Sequence, residues 1–160
     1  MQSADVAVIG GGIIGMSCAY ELARQGAGRV VVFDKQPIGG GTSGGSAGVI
    51  CLHDMGAIYA QLTLVGYARV QELRRSYDFG FQPWGTLLVF YEPGRFPPAP
   101  SPYERRFASG EGSIYHRVLL SREELLARYP WIKPERVLGG ALYPNQGYLD
   151  PYRLLQLYQR

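Results

Sequence analysis

An apolar strand that runs into three consecutive glycines constrains this chain more than any other feature. Ala4-Asp5-Val6-Ala7-Val8-Ile9 leads directly into Gly10-Gly11-Gly12-Ile13-Ile14-Gly15, and the residues that follow read as helical. A strand that ends in G-x-G-x-x-G and opens a helix is the phosphate-binding corner of dinucleotide folds. Each glycine has a physical task there. Gly10 makes the tight turn, Gly12 lets the backbone approach a pyrophosphate, and Gly15 lets the helix pack closely on the strand. The helix then aims free N–H groups and its positive dipole end at the phosphates.

The surroundings carry the same pattern. Residues 16–25 have helical periodicity, with Cys18, Ala19, Leu22 and Ala23 on the apolar side and Glu21, Arg24 and Gln25 on the polar side. Gly26 stands where a helix stop is expected. Arg29-Val30-Val31-Val32-Phe33 reads as a strand of a parallel sheet. It ends in Asp34, about twenty residues past the last loop glycine, where a carboxylate can bind an adenosine ribose hydroxyl. A glycine-rich turn in an unrelated α/β domain is the alternative.

A second glycine-rich stretch, residues 39–48, follows the acid at once. A nicotinamide domain more often continues with another helix and parallel strand. Thr42, Ser43 and Ser46 can donate to phosphate or ribitol oxygens, and Ala47 and Gly48 leave room for a flat ring. The competing reading is a Gly/Ser tether. Asp34 and the apolar Val49-Ile50-Cys51-Leu52 bracket the stretch too closely for that.

Composition narrows the class. Twelve of the 22 glycines precede Val49, which places them in ligand loops rather than a low-complexity tract. With 46% hydrophobic and 18% charged residues, the chain can build a core. A net charge of +3 from scattered basic residues gives no nucleic-acid stripe, and Arg74-Arg75 and Arg105-Arg106 read as solvated pairs. Cys18 and Cys51 suggest no disulfide or metal framework and read as small buried residues, and no metal site is expected. Neither a secretory signal nor a membrane-spanning run is recognisable.

Beyond Leu52 the pattern changes. Residues 57–77 read as a helix with Ile58, Leu62, Val65, Leu73 and Tyr77 inward and Arg69, Glu72 and Arg75 towards water; Met55 and Tyr59 read as core or rim. Residues 85–91 read as a strand. Residues 92–112, with five prolines from Pro93 to Pro102, read as an exposed excursion without regular structure. Ser121 and Glu124 form the signature of a capping box, on a helix that stops before Pro130. Residues 140–143 and 146–149 read as short strands around Pro144-Asn145, and Asp150-Pro151 opens a helix over 152–160. No catalytic residue is assigned. His53 could line a ring, and His116, between Tyr115 and Arg117, has no evident partner.

Gly10–Gly15, the acid after Val30-Val31-Val32-Phe33, and the 39–50 loop together resemble the FAD-dependent D-amino-acid oxidase superfamily. The branch with glycine oxidase, sarcosine oxidase and D-amino-acid dehydrogenases is the most similar. The resemblance continues through Gly80-Phe81, residues 85–89 and 121–130, and Gly147-Tyr148-Leu149-Asp150-Pro151. It implies an α/β fold: a Rossmann-like FAD-binding domain with a second, β-rich substrate domain that is only partly present. Residues 1–80 would be the N-terminal part of the FAD-binding domain, 81–138 the start of the substrate domain, and 139–160 a return towards the first. Since members run to more than twice this length, the chain is expected to be an N-terminal portion.

The resemblance also implies residue roles. Ile13 and Ile14 would meet the FAD pyrophosphate through their backbone, Asp34 the adenosine ribose, and Lys35 the adenine side. Thr42 and Ser43 would meet phosphates and ribitol, and Ala47, Gly48 and Val49 the isoalloxazine. The family more often has Glu at the position of Asp34, but aspartate can still accept two hydroxyl bonds. The implied reaction is oxidation of the C–N bond of an amine or amino acid by hydride transfer to flavin, with oxygen or an electron carrier as acceptor. The implied setting is cytoplasmic or peripheral to the inner membrane, with the oligomeric state left open. An NAD-dependent dehydrogenase and a non-catalytic nucleotide-binding fragment are the alternatives.

Overall fold

The computed structural model describes residues 3–51, 57–107 and 110–160. Its contacts divide the chain into two compact units. One comprises Met1–Val49, Arg74–Phe81 and Tyr148–Arg160, the other Ile50–Leu73 and Gln82–Gly147.

The first unit opens with β1 (Val6–Ile9), α1 (Ile13–Arg24) and β2 (Val30–Phe33). The two strands pair in parallel, Val6 opposite Val30 and Ile9 opposite Phe33. Parallel neighbours need a crossover, and α1 supplies it. The helix begins directly after Gly12, three residues earlier than its periodicity suggests. Its end matches expectation. Gly26 has φ +78°, its N–H donates to the Ala23 carbonyl, and the Ala27 N–H donates to that of Leu22. Those two bonds make a Schellman close, which a residue with a Cβ would strain.

Which face of α1 is covered differs from the expectation. Met16 and Ala19 are buried, while Cys18 and Ala23 are exposed. Cys18 is thus no core residue. Cys51 is half-buried, and its surroundings push the thiol pKa up by desolvation. Later residues of this unit are α5 (Pro151–Leu157), which buries Leu154, Leu155 and Leu157. Asp150 caps it as expected, accepting from the N–H groups of Tyr152 at 2.9 Å and Arg153 at 3.2 Å.

The second unit holds α2 (Ala57–Leu73), β4 (Thr86–Phe90), α3 (Pro102–Phe107), β5 (Val118–Ser121), α4 (Arg122–Arg128) and β6 (Gly139–Tyr143). The two-residue strands β3 (Val49–Ile50) and β7 (Gly147–Tyr148) lie where the chain passes from one unit to the other. An antiparallel sheet in the order β4-β6-β5 has β6 at its centre, with Leu87 opposite Leu142 and Leu119 opposite Ala141. Leu120, Leu125, Ile132, Val137 and Leu142 form its core. Both halves of the expected capping box are present at α4: Ser121 Oγ accepts from the Glu124 N–H, and the Ser121 N–H donates to Glu124.

Three expectations for α2 fail. Helix α2 ends at Leu73, not Tyr77, and Ile58, Leu62, Val65 and Tyr59 are exposed. Burial goes instead to Ala60, with Leu64 and Tyr67 packing beside Ile114 and Tyr115. The helix is apolar over most of its circumference, so periodicity alone cannot select the covered face. Arg69, expected to face water, is mostly covered and pairs with Glu72 at 2.6 Å.

The proline-rich stretch is also more ordered than its composition suggests. Ser101 and Glu104 form a second capping box around α3, with Pro102 in the first helical position. Glu104 is buried beneath it. Its Oε1 accepts from the Tyr143 hydroxyl at 2.9 Å and lies 3.5 Å from Arg117. Arg117 in turn donates to the Pro98 carbonyl, which ties the proline segment to the sheet.

Candidate nucleotide-binding site

Two bonds join the two glycine-rich loops of the first unit, and a third joins the first loop to the acid between them. The Gly39 N–H donates to the Gly11 carbonyl at 3.0 Å, and the Ile13 N–H donates to Ser43 Oγ at 2.9 Å. The third bond involves the acid between the loops: the Gly11 N–H donates to Asp34 Oδ2 at 2.6 Å. Asp34 Oδ1 accepts from the Gln36 N–H at 2.8 Å. The Gly11 bond, then the Gln36 bond, hold the Asp34 carboxyl below its usual pKa, so it is an anion at neutral pH. Each oxygen keeps a further lone pair for a hydroxyl donor.

Glycine is required at these bends for local reasons. Gly10 has φ +112°, a conformation that residues with a Cβ avoid. A Cβ on Gly15 would lie 1.9 Å from the Gly10 carbonyl oxygen, so α1 can leave the strand at this angle only with glycine there. Over Gly12 the nearest atom is Ser43 Oγ, 3.0 Å from where a Cβ would be. The second loop therefore sits close over the start of α1.

Helix α5 supports that loop from behind. A Cβ on Gly39 would meet Leu155, and one on Gly44 would meet the Gly39 carbonyl and the Tyr152 hydroxyl. Gly48 is buried against the Leu149 carbonyl, and its own carbonyl accepts from the Leu149 N–H. Sequence reasoning missed this support, and it missed Gly11. Three glycines in a row hint at a special role for the middle one; nothing local marks Tyr152 as a neighbour of residue 44.

The structure thus joins Gly12, Ile13 and Ser43, and joins Asp34 to the first loop through Gly11. Ser46 turns instead to the Gly48 N–H, at 3.1 Å. Ile14, Lys35, Thr42, Ala47 and Val49 are exposed around the corner. His53 and Met55 lie outside the described residues.

Chemically, this corner suits a phosphate diester. Helix α1 has no side-chain cap at Gly12 and no acidic residue in its first turn, so its positive end meets no carboxylate of its own. A hydroxyl, Ser43, stands at the same place as a further donor. The anion of Asp34 is held away on the Gly11 side, where it can accept from a sugar hydroxyl. A dinucleotide offers that order of groups: phosphates for the helix end and a ribose for the acid.

Fold and corner together define a nucleotide-binding β–α–β protein. A family model described as "FAD dependent oxidoreductase" (DAO) matches residues 5–160, and the chain belongs to that family, whose cofactor is FAD. Human mitochondrial dimethylglycine dehydrogenase is 26% identical over 156 residues, covering 94% of this chain and 17% of that protein. Alpha-glycerophosphate oxidase of Enterococcus casseliflavus is 32% identical over 151 residues, covering 87% of this chain and 24% of the relative. The crystal structure of glycine oxidase from Bacillus cereus superposes with a TM-score of 0.69 at 22% identity, over 98% of this chain and 42% of that one. The chain therefore spans less than half the length of these relatives. Among the described residues no helix is long and apolar enough to cross a membrane.

Proposed function

We propose that this chain supplies the adenosine and pyrophosphate end of the FAD site in a protein that oxidises the C–N bond of an amine or amino acid. The observation that carries the proposal is the three-bond junction of Gly39 with Gly11, Ile13 with Ser43, and Gly11 with Asp34. In this reading the Ile14 N–H and the Ser43 hydroxyl bind the pyrophosphate, Ile13 contributes by holding Ser43 through its own N–H, and Gly10, Gly12 and Gly15 give them access. Asp34 holds the adenosine ribose and Lys35 flanks the adenine. Thr42 and Ser46 line the path to the ribitol, and Ala47, Gly48 and Val49 lie along the flavin ring. Residues 1–80 and 139–160 belong to the FAD-binding domain, and 81–138 begin the substrate domain.

FAD held by these residues would supply a hydride acceptor for oxidation of the substrate C–N bond, with oxygen or an electron carrier as the final acceptor. The residues of this chain act by holding and orienting it. Support for an amine substrate comes from dimethylglycine dehydrogenase and glycine oxidase, which are named for such compounds.

A second reading, oxidation of an alcohol carbon, is favoured by the 32% identity with alpha-glycerophosphate oxidase. One experiment separates them. The intact protein, purified with FAD, is mixed anaerobically with glycine, dimethylglycine or glycerol 3-phosphate while the flavin absorption is followed. Bleaching by an amine supports the first reading. Bleaching by glycerol 3-phosphate alone transfers the protein to the second. A colourless protein that takes up no FAD rejects both.

A further inference from the structure

The two faces of the β4-β6-β5 sheet are covered by different means. Along β6, Gly140 and Leu142 alternate onto one face, where Leu125 of α4 and the rest of the apolar core close over them. Gly139, Ala141 and Tyr143 alternate onto the other. The cover on that side comes from the proline-rich segment 92–101, in which no side chain is buried. Prolines at 93, 97, 98 and 100 carry no N–H, so the segment cannot add to the sheet as a strand.

Two contacts fasten this segment to the sheet, one at each end of β6. At the Gly139 end the Phe96 ring lies where a Cβ on Gly139 would be, 5.9 Å from the Phe90 ring. At the Tyr143 end Arg117, just before β5, donates to the Pro98 carbonyl at 3.0 Å. Among the described residues no other hydrogen bond links 92–100 to the sheet. The same guanidinium stands 3.5 Å from Glu104, which accepts from the Tyr143 hydroxyl at 2.9 Å. Between the two fastenings lies Ala141, fully buried.

The ends of the segment suit a hinge. Gly94 has φ +83° and open space where a Cβ would be, inside the turn closed by the Arg95 N–H on the Glu92 carbonyl. At the far end α3 is anchored separately, by Tyr103 and Phe107 against Ala60, Ile114 and Tyr115. We propose that residues 92–101 are a strap that lifts from the sheet as a unit while β4, β6, β5 and α3 stay folded, with Arg117 as its clasp. A segment with no buried side chain and one hydrogen bond to its support belongs to the low-stability end of a structure. Lifting it uncovers Ala141 between its cross-strand neighbours Leu88 and Leu119, so the strap controls access to an apolar row.

Trypsin reads the opening, because the Arg95–Phe96 bond can enter a protease only after Phe96 leaves Gly139. The intact protein is digested at a series of urea concentrations below its unfolding transition, and the fragments are followed by mass spectrometry. Cleavage after Arg95 should be nearly independent of urea, since lifting the strap exposes little surface. Arg117→Lys keeps a cation for Glu104 but loses the fork that spans Glu104 and Pro98. It should speed cleavage after Arg95 by about fivefold and change cleavage after Arg128, at the end of α4, by less than about twofold. If Arg117→Lys fails to fold, Phe96→Ala decides, with an acceleration of about tenfold expected. Cleavage after Arg95 that climbs in step with global unfolding, equal acceleration after Arg95 and Arg128, or no acceleration in the deciding variant would each overturn the proposal.

Discussion

The nucleotide corner and the β4-β6-β5 sheet are built from opposite materials. At the corner, backbone groups do the holding: two loops joined through Gly39, Gly11 and Ile13, with Asp34 and Ser43 as the side chains that take part. Large apolar residues beside it, Ile9 and Ile14, are about four-fifths exposed. In the sheet, side chains do the holding. Leu125 and Ala141 are fully buried, and Glu104 is paired with Tyr143 and Arg117. A region assembled from backbone donors and missing Cβ atoms remains open to a ligand. A region assembled from interdigitated side chains is closed. Changes at the corner should therefore register as FAD affinity, and changes in the sheet as stability.

The largest effect tests the shared ground of that division. Gly15→Val at the corner puts a branched side chain where even a Cβ would lie 1.9 Å from backbone. Neither α1 nor β1 can yield without losing the parallel pair, so a stability loss of about 3 kcal/mol or more is expected, with FAD binding abolished. Urea unfolding and FAD titration measure the two. A variant that binds FAD normally would show that the close helix–strand approach is not needed.

Asp34→Asn should move affinity more than fold. An amide keeps one acceptor oxygen, so one of the Gly11 and Gln36 bonds is lost, and with it the charge offered to a ribose. FAD binding should weaken by about tenfold. The acid limb gives the matching sign. The folded pKa is depressed, so the contribution of this carboxylate is complete above the usual carboxylate range and is lost as pH falls through the folded value. The affinity of the parent protein should therefore decline in acid, while that of the asparagine variant stays flatter.

Ser43→Ala is the milder probe of the same junction. It leaves the Ile13 N–H without its 2.9 Å partner but removes no charge. A stability loss of about 1 kcal/mol and a loss of FAD affinity of about threefold are expected, read by thermal melting and titration. Unchanged affinity would assign Ser43 to loop closure alone.

Local signals made one part of both regions legible in advance. The G-x-G-x-x-G corner, the acid after β2, the Gly26 stop, the Ser121–Glu124 box and the Asp150–Pro151 helix start are each written within a few neighbouring residues. Where the sequence misled, the deciding partner was distant. Ile58, Leu62 and Val65 have helical spacing, yet Ile114 and Tyr115, some fifty residues away, select Ala60 and its row instead. Prolines in 93–102 masked a capping box that Ser101 and Glu104 spell out plainly. The glycines of the second loop pointed to a ligand, but Gly39 and Gly44 answer first to Leu155 and Tyr152 on α5.

The smallest effect belongs to the sheet and should leave the corner untouched. Tyr143→Phe removes the hydroxyl that donates to Glu104 at 2.9 Å, leaving that buried carboxylate with Arg117 and the Ser101 N–H. The cost should be about 1 kcal/mol in urea unfolding at neutral pH, with FAD affinity unchanged. Burial, then the bond to Glu104, raise the Tyr143 pKa. A raised value means the folded state binds the phenolic proton more tightly, so this stability is complete below the ordinary phenol range. It is lost as pH rises through the folded value. The gap between parent and variant should therefore close in alkali. A gap that persists there would mean the hydroxyl acts through packing, and a change in FAD affinity would break the division between the two regions.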